Sequence, residues 1–530
     1  MNYPIANLKP EEIATLKLRE IFEEYGYKKY KISRFEEYGL YAANKDFLGG
    51  EKVITFTDLD GRLLALKPDV TLSIIKNTRA AGDKTEKLYY IENVYRESKD
   101  SHTFKEIPQM GLEYIGKVGQ EGITETVALA ARTLKTVSSD HVLEISHMDF
   151  AVELLRSMKL AEEDYFHLLK LIRNKNSDGI RKVSAMAGLS EDQTETLCGI
   201  TRLYGPVAGT IKAARKLAVN EAMEKALDQL QDICSGLREM GCAGKIQADL
   251  SMVNDIDYYN GIIFRGYLKN SGRNVLAGGQ YDRAMMLFGK KAEGIGFALY
   301  LNEIGRSGRS RLTQKDADSS APEDMLNIAL PKGRLGNRVY KMLQEAGFGC
   351  PGFDEKGRKL IVENTEQRIR FLFVKPSDVA VYVEHHAADI GIVGKDILME
   401  TAPDVYELMD LNTGKCRMAV AAPRGYTEDM DRTLRVATKY VNVAKKYYLE
   451  KNRDIEIIKL NGSIELGPIL GLSDVIVDIV ETGSTLREND LEIIDEFKQI
   501  SARLIANKSS FKFRDKTIEK IAERLGEVIK

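Results

Sequence analysis

Apolar and polar residues along the first three hundred positions follow a helical period at the start and a strand period afterwards. Residues 10–25 place Ile13, Leu16, Ile21 and Phe22 among charged residues, which predicts an amphipathic helix. Short apolar runs then predict strands at 53–58, 63–67, 87–97, 109–116, 246–252, 257–267 and 277–282. The strands at 87–97 and 109–116 are expected to pair antiparallel. Between them and the later strands, leucine and alanine at helical spacing predict a helical insertion from about 164 to 237. The glycine-rich segment 294–299 is interpreted as leading into a final helix.

After residue 324 strands and helices alternate, which favours parallel α/β layers. Strands are predicted at 326–330, 369–374, 388–393, 418–422, 435–440 and 475–480. Helices are predicted to follow the first two of these strands, up to residue 346 and over 377–386, and near the end at 516–529. Residues 305–324 are polar, contain Gly, Ser and Pro, and lack periodic apolar positions, so they are expected to form a flexible linker.

Length and composition indicate a globular protein of more than one domain. A chain of 530 residues exceeds one ordinary domain, and 43% hydrophobic with 29% charged residues is typical of a globular protein. The net charge of −2 gives no general attraction to nucleic acid or anionic membranes. No apolar run has the length of a membrane span, and the five cysteines form no CxxC pair. We therefore expect a cytoplasmic protein with reduced thiols and without nucleic-acid or membrane partners.

The most informative stretch is D-V-I-V-D-I-V-E-T-G-S-T-L-R at 474–487. Its apolar run predicts a buried strand that ends in a turn of small hydroxyl residues. Such a turn offers backbone N–H groups and hydroxyls to a phosphate monoester, and Gly483 permits positive φ. Asp478 and Glu481 add carboxylates suited to ribose hydroxyls or a Mg²⁺-bound diphosphate. Taken alone, T-G-S-T is more often an ordinary polar turn after a strand than an anion site.

The longer pattern, with Glu465 and the G-L-S of 471–473, resembles the phosphoribosyl-diphosphate signature of ATP phosphoribosyltransferases. P-K-G-R-L at 331–335 and A-D-I-G-I-V-G-K-D at 388–396 resemble two further motifs of that family. The resemblance implies the first reaction of histidine biosynthesis, in which ATP and phosphoribosyl diphosphate give phosphoribosyl-ATP and diphosphate. It also implies Mg²⁺ bound together with the substrates, with no fixed protein ligands.

The same resemblance assigns site residues. For phosphoribosyl diphosphate it implies the residues of the acidic strand end and the hydroxyl turn, which are Asp478, Glu481, Thr482, Gly483, Ser484 and Thr485. For ATP it implies Lys332, Gly333, Arg334, Gly394, Asp396, Arg417, Lys439 and Glu465. Lys332, Arg334 and Asp478 are also assigned a catalytic role. The cations would neutralise phosphates, and Gly394 and Asp396 would shape the floor of the cleft.

Four motifs in the first half resemble the catalytic domain of histidyl-tRNA synthetase. They are L-K-P-D-V-T (66–71), Y-R-E to Q-M-G-L-E-Y-I-G (95–116), D-Y-Y-N-G (257–261) and A-G-G-Q-Y-D (277–282). The resemblance implies a histidine pocket formed by Asp69, Thr71, Arg96, Gln109, Glu113, Tyr258, Tyr259 and Tyr281. However, Asn254 and Glu303 stand where the synthetase has arginines that activate histidine and hold ATP. A glutamate facing a triphosphate is repulsive, so adenylate formation is expected to fail.

The first half therefore resembles the regulatory subunit of short-form ATP phosphoribosyltransferases, with histidine as inhibitor. The fold expected for residues 1–304 is an α+β class II aminoacyl-tRNA synthetase-like domain, an antiparallel sheet with the helical insertion. Residues 305–324 would join it to a two-lobed α/β transferase at 325–530 that resembles periplasmic binding proteins. Lobe I would span about 325–417 and 501–530, and lobe II about 418–500.

Family members assemble, so a homo-oligomer is expected. Two alternatives remain: a non-catalytic histidine-sensing protein and a working histidyl-tRNA synthetase.

Overall fold

The computed structural model describes residues 8–44, 53–79, 84–97, 103–253, 259–304, 325–351 and 359–529. The predictions for Asn254, Tyr258 and the linker 305–324 lie outside these residues. The chain divides into two compact units, Met1–Ser320 and Ala321–Lys530, which are described separately below.

The described part of the first unit contains two sheets. Its strands are β1 Lys28–Lys29, β2 Phe35–Glu37, β3 Thr55–Thr57, β4 Leu63–Leu66, β5 Glu86–Glu97, β6 Phe104–Gly116, β7 His141–His147, β8 Tyr204–Pro206, β9 Ile246–Asp249, β10 Asn260–Leu268, β11 Leu276–Gln280 and β12 Glu293–Tyr300. The large sheet has the order β1-β5-β6-β12-β11-β10-β7-β9-β8, and β2-β4-β3 forms the small one. The predicted antiparallel pairing is confirmed, with Leu88 opposite Glu113.

Helices pack against the large sheet and fill the predicted insertion. They are α1 Pro10–Glu24, α2 Tyr38–Ala42, α3 Thr71–Asn77, α4 Gly119–Val137, α5 Met148–Ser157, α6 Glu162–Arg173, α7 Ser177–Met186, α8 Glu191–Ile200, α9 Val207–Ala214, α10 Glu221–Glu239 and α11 Asp282–Leu287. Helix α4 buries Ile123, Val127 and Leu134, whose helical spacing gives it one apolar face. The helical insertion is confirmed as α6 to α10.

A buried ion pair ties this insertion to β9. The Lys175 ammonium lies 3.0 Å from Asp249 Oδ1 and donates to Ser251 Oγ at 2.7 Å and to the Thr201 carbonyl at 3.2 Å. Because both charges are paired and further hydrogen-bonded, their burial is compensated. The pair fixes the insertion against the sheet that carries the candidate pocket.

Residues 294–299 lie within strand β12, and residues 301–304 directly after it are helical, so the interpretation of this glycine-rich segment as leading into a helix is confirmed. The strand requires a glycine at Gly296, where an added Cβ would come within 1.9 Å of the Glu113 carboxylate on the neighbouring strand. Gly296 therefore keeps room above the sheet for this carboxylate. Gly294 and Gly296 alternate with apolar residues at the strand period, which is the sequence signal for β12 itself.

The described part of the second unit contains two further sheets. Its strands are β13 Leu326–Pro331, β14 Ile361–Asn364, β15 Ile369–Val374, β16 Ile390–Gly394, β17 Val405–Asp410, β18 Cys416–Pro423, β19 Leu434–Thr438, β20 Ile455–Lys459, β21 Val475–Val480, β22 Leu491–Ile500 and β23 Ala502–Asn507. Its helices are α12 Arg334–Glu345, α13 Val379–Glu384, α14 Lys395–Thr401, α15 Val441–Glu450, α16 Leu466–Ile469, α17 Ser484–Glu488 and α18 Lys508–Ile529. A single 3₁₀ turn, Pro376–Asp378, precedes α13.

One sheet has the order β14-β15-β13-β16-β23-β17, and the other has the order β20-β19-β21-β18-β22. We call the first sheet with its helices lobe I and the second with its helices lobe II. The predicted parallel pairing is confirmed for β13, β15 and β16, whereas β23 pairs antiparallel with β16. Strand β18 also pairs antiparallel with β21 and β22. The chain passes directly between the sheets before β18 and before β23, without the crossover helix that a parallel neighbour needs.

Candidate active site and candidate ligand pocket

The hydroxyl-rich turn lies at the end of β21 in lobe II. Strand β21 ends at Val480, and the short helix α17 begins at Ser484. Gly483 between them has φ +72°, the left-handed conformation that glycine adopts without strain. Thr482, Ser484 and Thr485 are exposed, and the Thr482 and Ser484 hydroxyls lie 3.1 Å apart. These groups form a small surface of hydroxyl donors beside a backbone turn, as an anion site requires.

Arg487 adds a cation to this turn, and the sequence interpretation did not assign it a role. Its guanidinium donates to the Thr482 carbonyl at 3.1 Å. A Cβ on Gly483 would lie 3.2 Å from the same guanidinium, so the glycine also leaves room for this side chain. The only sequence signal was its position three residues after Ser484, on the first turn of α17.

The carboxylate of Asp478 lies deeper in the strand, two residues before its end. Burial raises the pKa of Asp478, and the nearby Lys439 ammonium lowers it in part. Lys439 Nζ lies 3.6 Å from Asp478 Oδ1. The half-buried Glu465 further raises the pKa of Asp478, which places that second carboxylate close by. The structure thus brings together Asp478, Lys439 and Glu465, although the sequence interpretation assigned Lys439 and Glu465 to ATP and Asp478 to phosphoribosyl diphosphate.

Two arginines, one from strand β18 and one from the start of helix α12, meet at Glu481. The register pairs Arg417 of β18 with Val480 of β21, and the Arg417 guanidinium donates to the Glu481 carbonyl at 3.2 Å. It also pairs with Glu496 at 2.5 Å. From lobe I, Arg334 Nη2 lies 3.3 Å from Glu481 Oε2, although the two side chains are 93% and 62% exposed. An exposed contact therefore bridges the two lobes beside the hydroxyl turn.

The start of α12 depends on two glycines. Gly333 has φ +97°, and a Cβ on Gly336 would come within 1.6 Å of the Pro331 carbonyl. Gly336 therefore allows the helix to begin directly against the end of β13, a requirement that the sequence interpretation missed. The Lys332 side chain is exposed, and within the described residues no ion pair involves it. Lys332 is thus close to Arg334 along the chain, but unlike Arg334 and Arg417 it makes no described contact with Glu481.

Gly394 and Asp396 lie at a buried junction of the lobes. A Cβ on Gly394 would come within 2.1 Å of Asp396 Oδ1, so the absent side chain makes room for the carboxylate. Asp396 Oδ2 accepts a hydrogen bond of 2.6 Å from the Tyr440 hydroxyl. Asp396 is therefore bonded within the protein and not open to solvent. Tyr440 was not identified as a site residue from the sequence, where it is the last residue of the predicted strand 435–440 and belongs to no motif.

The thiol of Cys416 lies among these acids. Burial raises the pKa of Cys416 to about 11, and the negative charges of Asp396 and Glu481 contribute to this rise. Such a thiol stays protonated near neutral pH, so it provides no nucleophile. Across the described residues, no group of three or more His, Cys, Asp or Glu side chains is arranged to hold a metal ion.

A cavity of about 200 Å³ lies at the opposite end of β19 and β21 from the hydroxyl turn. Although Arg435 and Arg453 line it, their charges are already paired. Arg435 Nη2 lies 2.6 Å from Asp474 Oδ1, and Arg453 Nε lies 2.7 Å from Glu428 Oε1. This cavity is therefore a poor anion site, and the exposed turn is the better candidate.

In the first unit, most residues of the predicted histidine pocket surround the carboxylate of Glu113. Thr71 Oγ1 donates to Glu113 Oε1 at 2.8 Å, and the Tyr281 hydroxyl donates to Oε2 at 2.6 Å. Glu113 is 1% exposed, and this burial raises its pKa to about 8. Hydrogen bonds from Tyr281 and Thr71 lower the pKa in part, and the charge of Asp69 raises it further.

Asp69 and Arg96 form the next part of this pocket. Burial raises the pKa of Asp69, whereas the charge of Arg96 lowers it. Arg96 Nη2 lies 3.8 Å from Asp69 Oδ2, and Arg96 Nε donates to the Pro68 carbonyl at 3.0 Å. Asp69 also accepts the backbone N–H of Leu72 at 2.9 Å, so this carboxylate, and not the Thr71 hydroxyl, caps helix α3.

The remaining predicted residues line the same space. Gln109 is buried on the same face of β6 as Glu113, four residues away along the strand. Tyr259 is close enough to Asp69 and Glu113 for both charges to raise its pKa. Tyr258 lies outside the described residues.

Tyr90 and Gly111 also belong to the pocket, although the sequence interpretation assigned neither of them a role. Tyr90 is buried beside Glu113 and Asp69, and a Cβ on Gly111 would lie 2.4 Å from the Tyr90 hydroxyl. Gly111 and Gly296 therefore keep this part of the sheet clear of side chains. A glycine inside a strand pattern was the available signal.

A search of the described helices finds none whose length and apolar content would let it cross a membrane.

Comparisons with known proteins agree with this division. The family model described as "Histidyl-tRNA synthetase" matches residues 6–304, and the one described as "ATP phosphoribosyltransferase" matches residues 375–527. A curated ATP phosphoribosyltransferase of Brachyspira hyodysenteriae is 60% identical over 206 residues, which are 39% of this chain and all of the relative. One from Clostridioides difficile is 53% identical, over 37% of this chain and 95% of that protein.

Among solved structures, one is described as an ATP phosphoribosyltransferase regulatory subunit/histidyl-tRNA synthetase from Bacillus halodurans C. It is 22% identical with a TM-score of 0.51, over 69% of this chain and 94% of that one, and it bears on the fold alone. Both resemblances noted from the sequence motifs are confirmed. The chain belongs to the ATP phosphoribosyltransferase family, the enzymes of the first step of histidine biosynthesis, and carries a histidyl-tRNA synthetase-family region in the same polypeptide.

Proposed function

We propose that the second unit binds phosphoribosyl diphosphate with its 5′-phosphate at the turn formed by Thr482, Gly483, Ser484 and Thr485. The observation that carries this placement is the group of exposed hydroxyls around a left-handed glycine at the end of β21. A phosphate monoester needs several converging donors, and this turn provides them without a competing side chain at Gly483. ATP then attacks through adenine N1, forming the N1–C1 bond while the C1–O bond to diphosphate breaks and diphosphate leaves with the electron pair.

The acids and cations near the turn take separate roles. Asp478 and Glu481 hold the ribose hydroxyls, because their carboxylates lie just before the turn. Arg334, Arg417 and Lys439 neutralise diphosphate or the phosphates of ATP, and each already lies within 4 Å of an acidic or carbonyl oxygen of this site. Lys332 and Gly333, at the start of α12, face the ATP side. The protein mainly aligns two polyanions and stabilises the leaving charge, which requires no general base.

The carboxylates here fit Mg²⁺ brought in by the substrates. Magnesium prefers oxygen ligands and often binds through one or two carboxylates plus substrate phosphates. Asp478 and Glu481 offer such oxygens beside the turn, and Glu465 lies near Asp478. When bound, the ion supplies positive charge to the leaving diphosphate. The protein's own contribution is the position of these carboxylates at the end of β21.

We further propose that histidine inhibits the transferase by binding in the first unit. Carboxylates suit an α-ammonium group, and amide or phenol groups suit an imidazole. Asp69, Glu113, Gln109, Tyr259 and Tyr281 provide these groups around one space. Thr71 and Arg96 orient the two carboxylates, and Tyr258 joins the set by sequence. Because coupling is reciprocal, the transferase substrates must weaken histidine binding by the same factor.

We place the domain boundaries at residues 1–304 and 325–530 with a linker at 305–324, and we place the enzyme in the cytoplasm as a homo-oligomer. The small net charge supports the absence of nucleic-acid and membrane partners.

The placement of the phosphate is tested by the double variant Thr482→Ala/Ser484→Ala. Hydrogen bonds to a charged group contribute about 1.5–3 kcal/mol, so the KM for phosphoribosyl diphosphate should rise at least about tenfold. The KM for ATP should change little. Thr427→Ala, an exposed hydroxyl beside the cavity at the opposite end of the sheet, is the matched control. An unchanged KM for phosphoribosyl diphosphate in the double variant would place this substrate elsewhere.

A further inference from the structure

A buried hydrogen bond joins the two lobes behind the hydroxyl turn. Tyr440 follows β19 in lobe II, and Asp396 lies in the first turn of α14 in lobe I. The Tyr440 hydroxyl donates to Asp396 Oδ2 at 2.6 Å, and both side chains are buried. Burial and the charge of Asp396 raise the pKa of Tyr440, so its hydroxyl remains a donor over the whole working range of pH.

The lobe I side of this bond is rigidly held. Gly394 leaves the space that Asp396 Oδ1 occupies, since a Cβ there would come within 2.1 Å of this oxygen. One turn further along α14, Glu400 accepts the backbone N–H groups of Asn442 at 2.9 Å and Val443 at 3.1 Å. These N–H groups belong to the first turn of α15 in lobe II, so α14 contacts lobe II at two points.

The lobe II side of the bond leads to the charges of the active site. The Thr438 hydroxyl accepts the Tyr440 N–H at 2.8 Å and donates to the Val477 carbonyl at 2.6 Å, which fixes the backbone at Lys439 against β21. The Lys439 ammonium lies 4.7 Å from the centre of the Tyr440 ring and 3.6 Å from Asp478 Oδ1. A shift of the Tyr440 ring would therefore displace Lys439 from its place beside Asp478.

We propose that Tyr440 is a positioning residue of the transferase: by bonding Asp396 it fixes lobe I against lobe II and holds Lys439 beside Asp478. Tyr440 acts through Lys439 and does not touch the substrates. The inference rests on the proposed placement of phosphoribosyl diphosphate beside Asp478. It also gives Asp396 a role in aligning the lobes, in place of the direct contact with ATP expected from the sequence.

The experiment measures kcat and both KM values for Tyr440→Phe in the full-length enzyme. Loss of the hydroxyl should lower kcat about tenfold, the equivalent of one hydrogen bond to a charged group, and raise the KM for phosphoribosyl diphosphate more than that for ATP. Tyr447→Phe is the matched control, because Tyr447 lies on α15 and its hydroxyl also donates to a carboxylate, that of Asp495, but within lobe II. This control should retain wild-type kcat and KM.

Substitutions of the acceptor separate alignment from a merely structural role. Asp396→Asn keeps an oxygen that accepts from Tyr440 and should retain most of kcat, whereas Asp396→Ala should lose as much as Tyr440→Phe. Combining Tyr440→Phe with Asp396→Ala should lower kcat no further than either alone. Additive losses, or equal losses in Tyr440→Phe and Tyr447→Phe, would overturn the proposal.

The proposed function is tested independently by Thr482→Ala/Ser484→Ala in the same assay. If Tyr440→Phe behaves as wild type while the double variant raises the KM for phosphoribosyl diphosphate, the positioning role is wrong and the substrate placement stands. If the double variant leaves that KM unchanged, the substrate placement itself is wrong.

Discussion

The candidate sites of the two units use polar groups in opposite ways. The turn at 482–485 is exposed, and its donors are neutral hydroxyls and backbone N–H groups. The pocket of the first unit is closed around Glu113, whose carboxylate already accepts hydrogen bonds from Thr71 and Tyr281. A site for a polyanion can remain open, because the ligand brings its own charge. A site for a small zwitterion must keep buried carboxylates, and their burial raises the pKa of each.

The largest effect is expected at the acid beside the open turn. Asp478→Asn keeps the size of the side chain but removes the charge that Lys439 contacts and that we assign to the ribose and the bound metal. We expect kcat/KM for phosphoribosyl diphosphate to fall about 100-fold or more, the scale of losing one preorganised electrostatic contact. Histidine binding, measured by equilibrium titration, should be unchanged. A loss in histidine binding as large as the loss in activity would remove the distinction between the two sites.

A smaller loss, of histidine inhibition, should follow from Gly296→Ala in the pocket of the first unit. The added Cβ would lie 1.9 Å from the Glu113 carboxylate and must displace it. We expect histidine inhibition to weaken at least about fivefold, because overpacking of this kind costs roughly 1–3 kcal/mol. The uninhibited kcat should stay at the wild-type value. Gly209→Ala, at an exposed glycine of α9 with no atom within 4 Å of its added Cβ and no positive φ, is the control for the added methyl group.

The sequence predicted the open turn better than the closed pocket, and the reason is physical. The turn is a local feature: β21, Gly483 and the hydroxyls follow one another along 475–485, so a motif contains nearly all of it. The pocket depends on the register that places Gly296 opposite Glu113, residues 183 positions apart, and on Tyr90 from a third strand. Motifs identified the polar members of that pocket. The glycines that make room for them became interpretable only once the strands were paired.

The same reasoning applies to the lobes. Alternating strands and helices predicted the layers, but not that β18 and β23 would run antiparallel to their neighbours. The contact between Tyr440 and Asp396 joins residues 44 positions apart across the two lobes, and no local pattern indicates it.

An effect of intermediate size is expected from the pH dependence of stability. The pKa of Glu113 rises from an ordinary value of 4.5 to about 8. Between these values the unfolded chain releases the proton while the folded chain keeps it, so the stabilising contribution is complete below about pH 4.5 and is lost as pH rises to about 8. Glu113→Gln removes this titration, and the fall in its melting temperature between pH 5 and pH 8 should be smaller than for wild type.

The control for that measurement is Glu121→Gln, an exposed glutamate on α4. It should follow the wild-type melting temperature at each pH. Parallel curves for wild type and Glu113→Gln would mean that Glu113 titrates normally and that the contrast between an open and a closed site is wrong.

The smallest effect on stability is expected at the exposed bridge between the lobes. Arg334→Ala removes the contact with Glu481, but exposed ion pairs contribute at most about 1 kcal/mol, so the free energy of unfolding should hardly change. The KM for one of the two substrates should nevertheless rise, because the guanidinium is free to turn towards phosphate. Arg432→Ala removes a similarly exposed arginine, paired with Asp429 in lobe II, and should change neither quantity. An Arg334 variant with wild-type kinetics would exclude this residue from the site.

The central claim is that the turn after β21 receives the sugar phosphate. A crystal structure of the full chain with phosphoribosyl diphosphate and Mg²⁺ tests it most directly. The account predicts the 5′-phosphate within hydrogen-bond distance of the Thr482, Ser484 and Thr485 hydroxyls, with the ribose beside Asp478. A complex in which the ligand is bound elsewhere and these hydroxyls contact only solvent would contradict it.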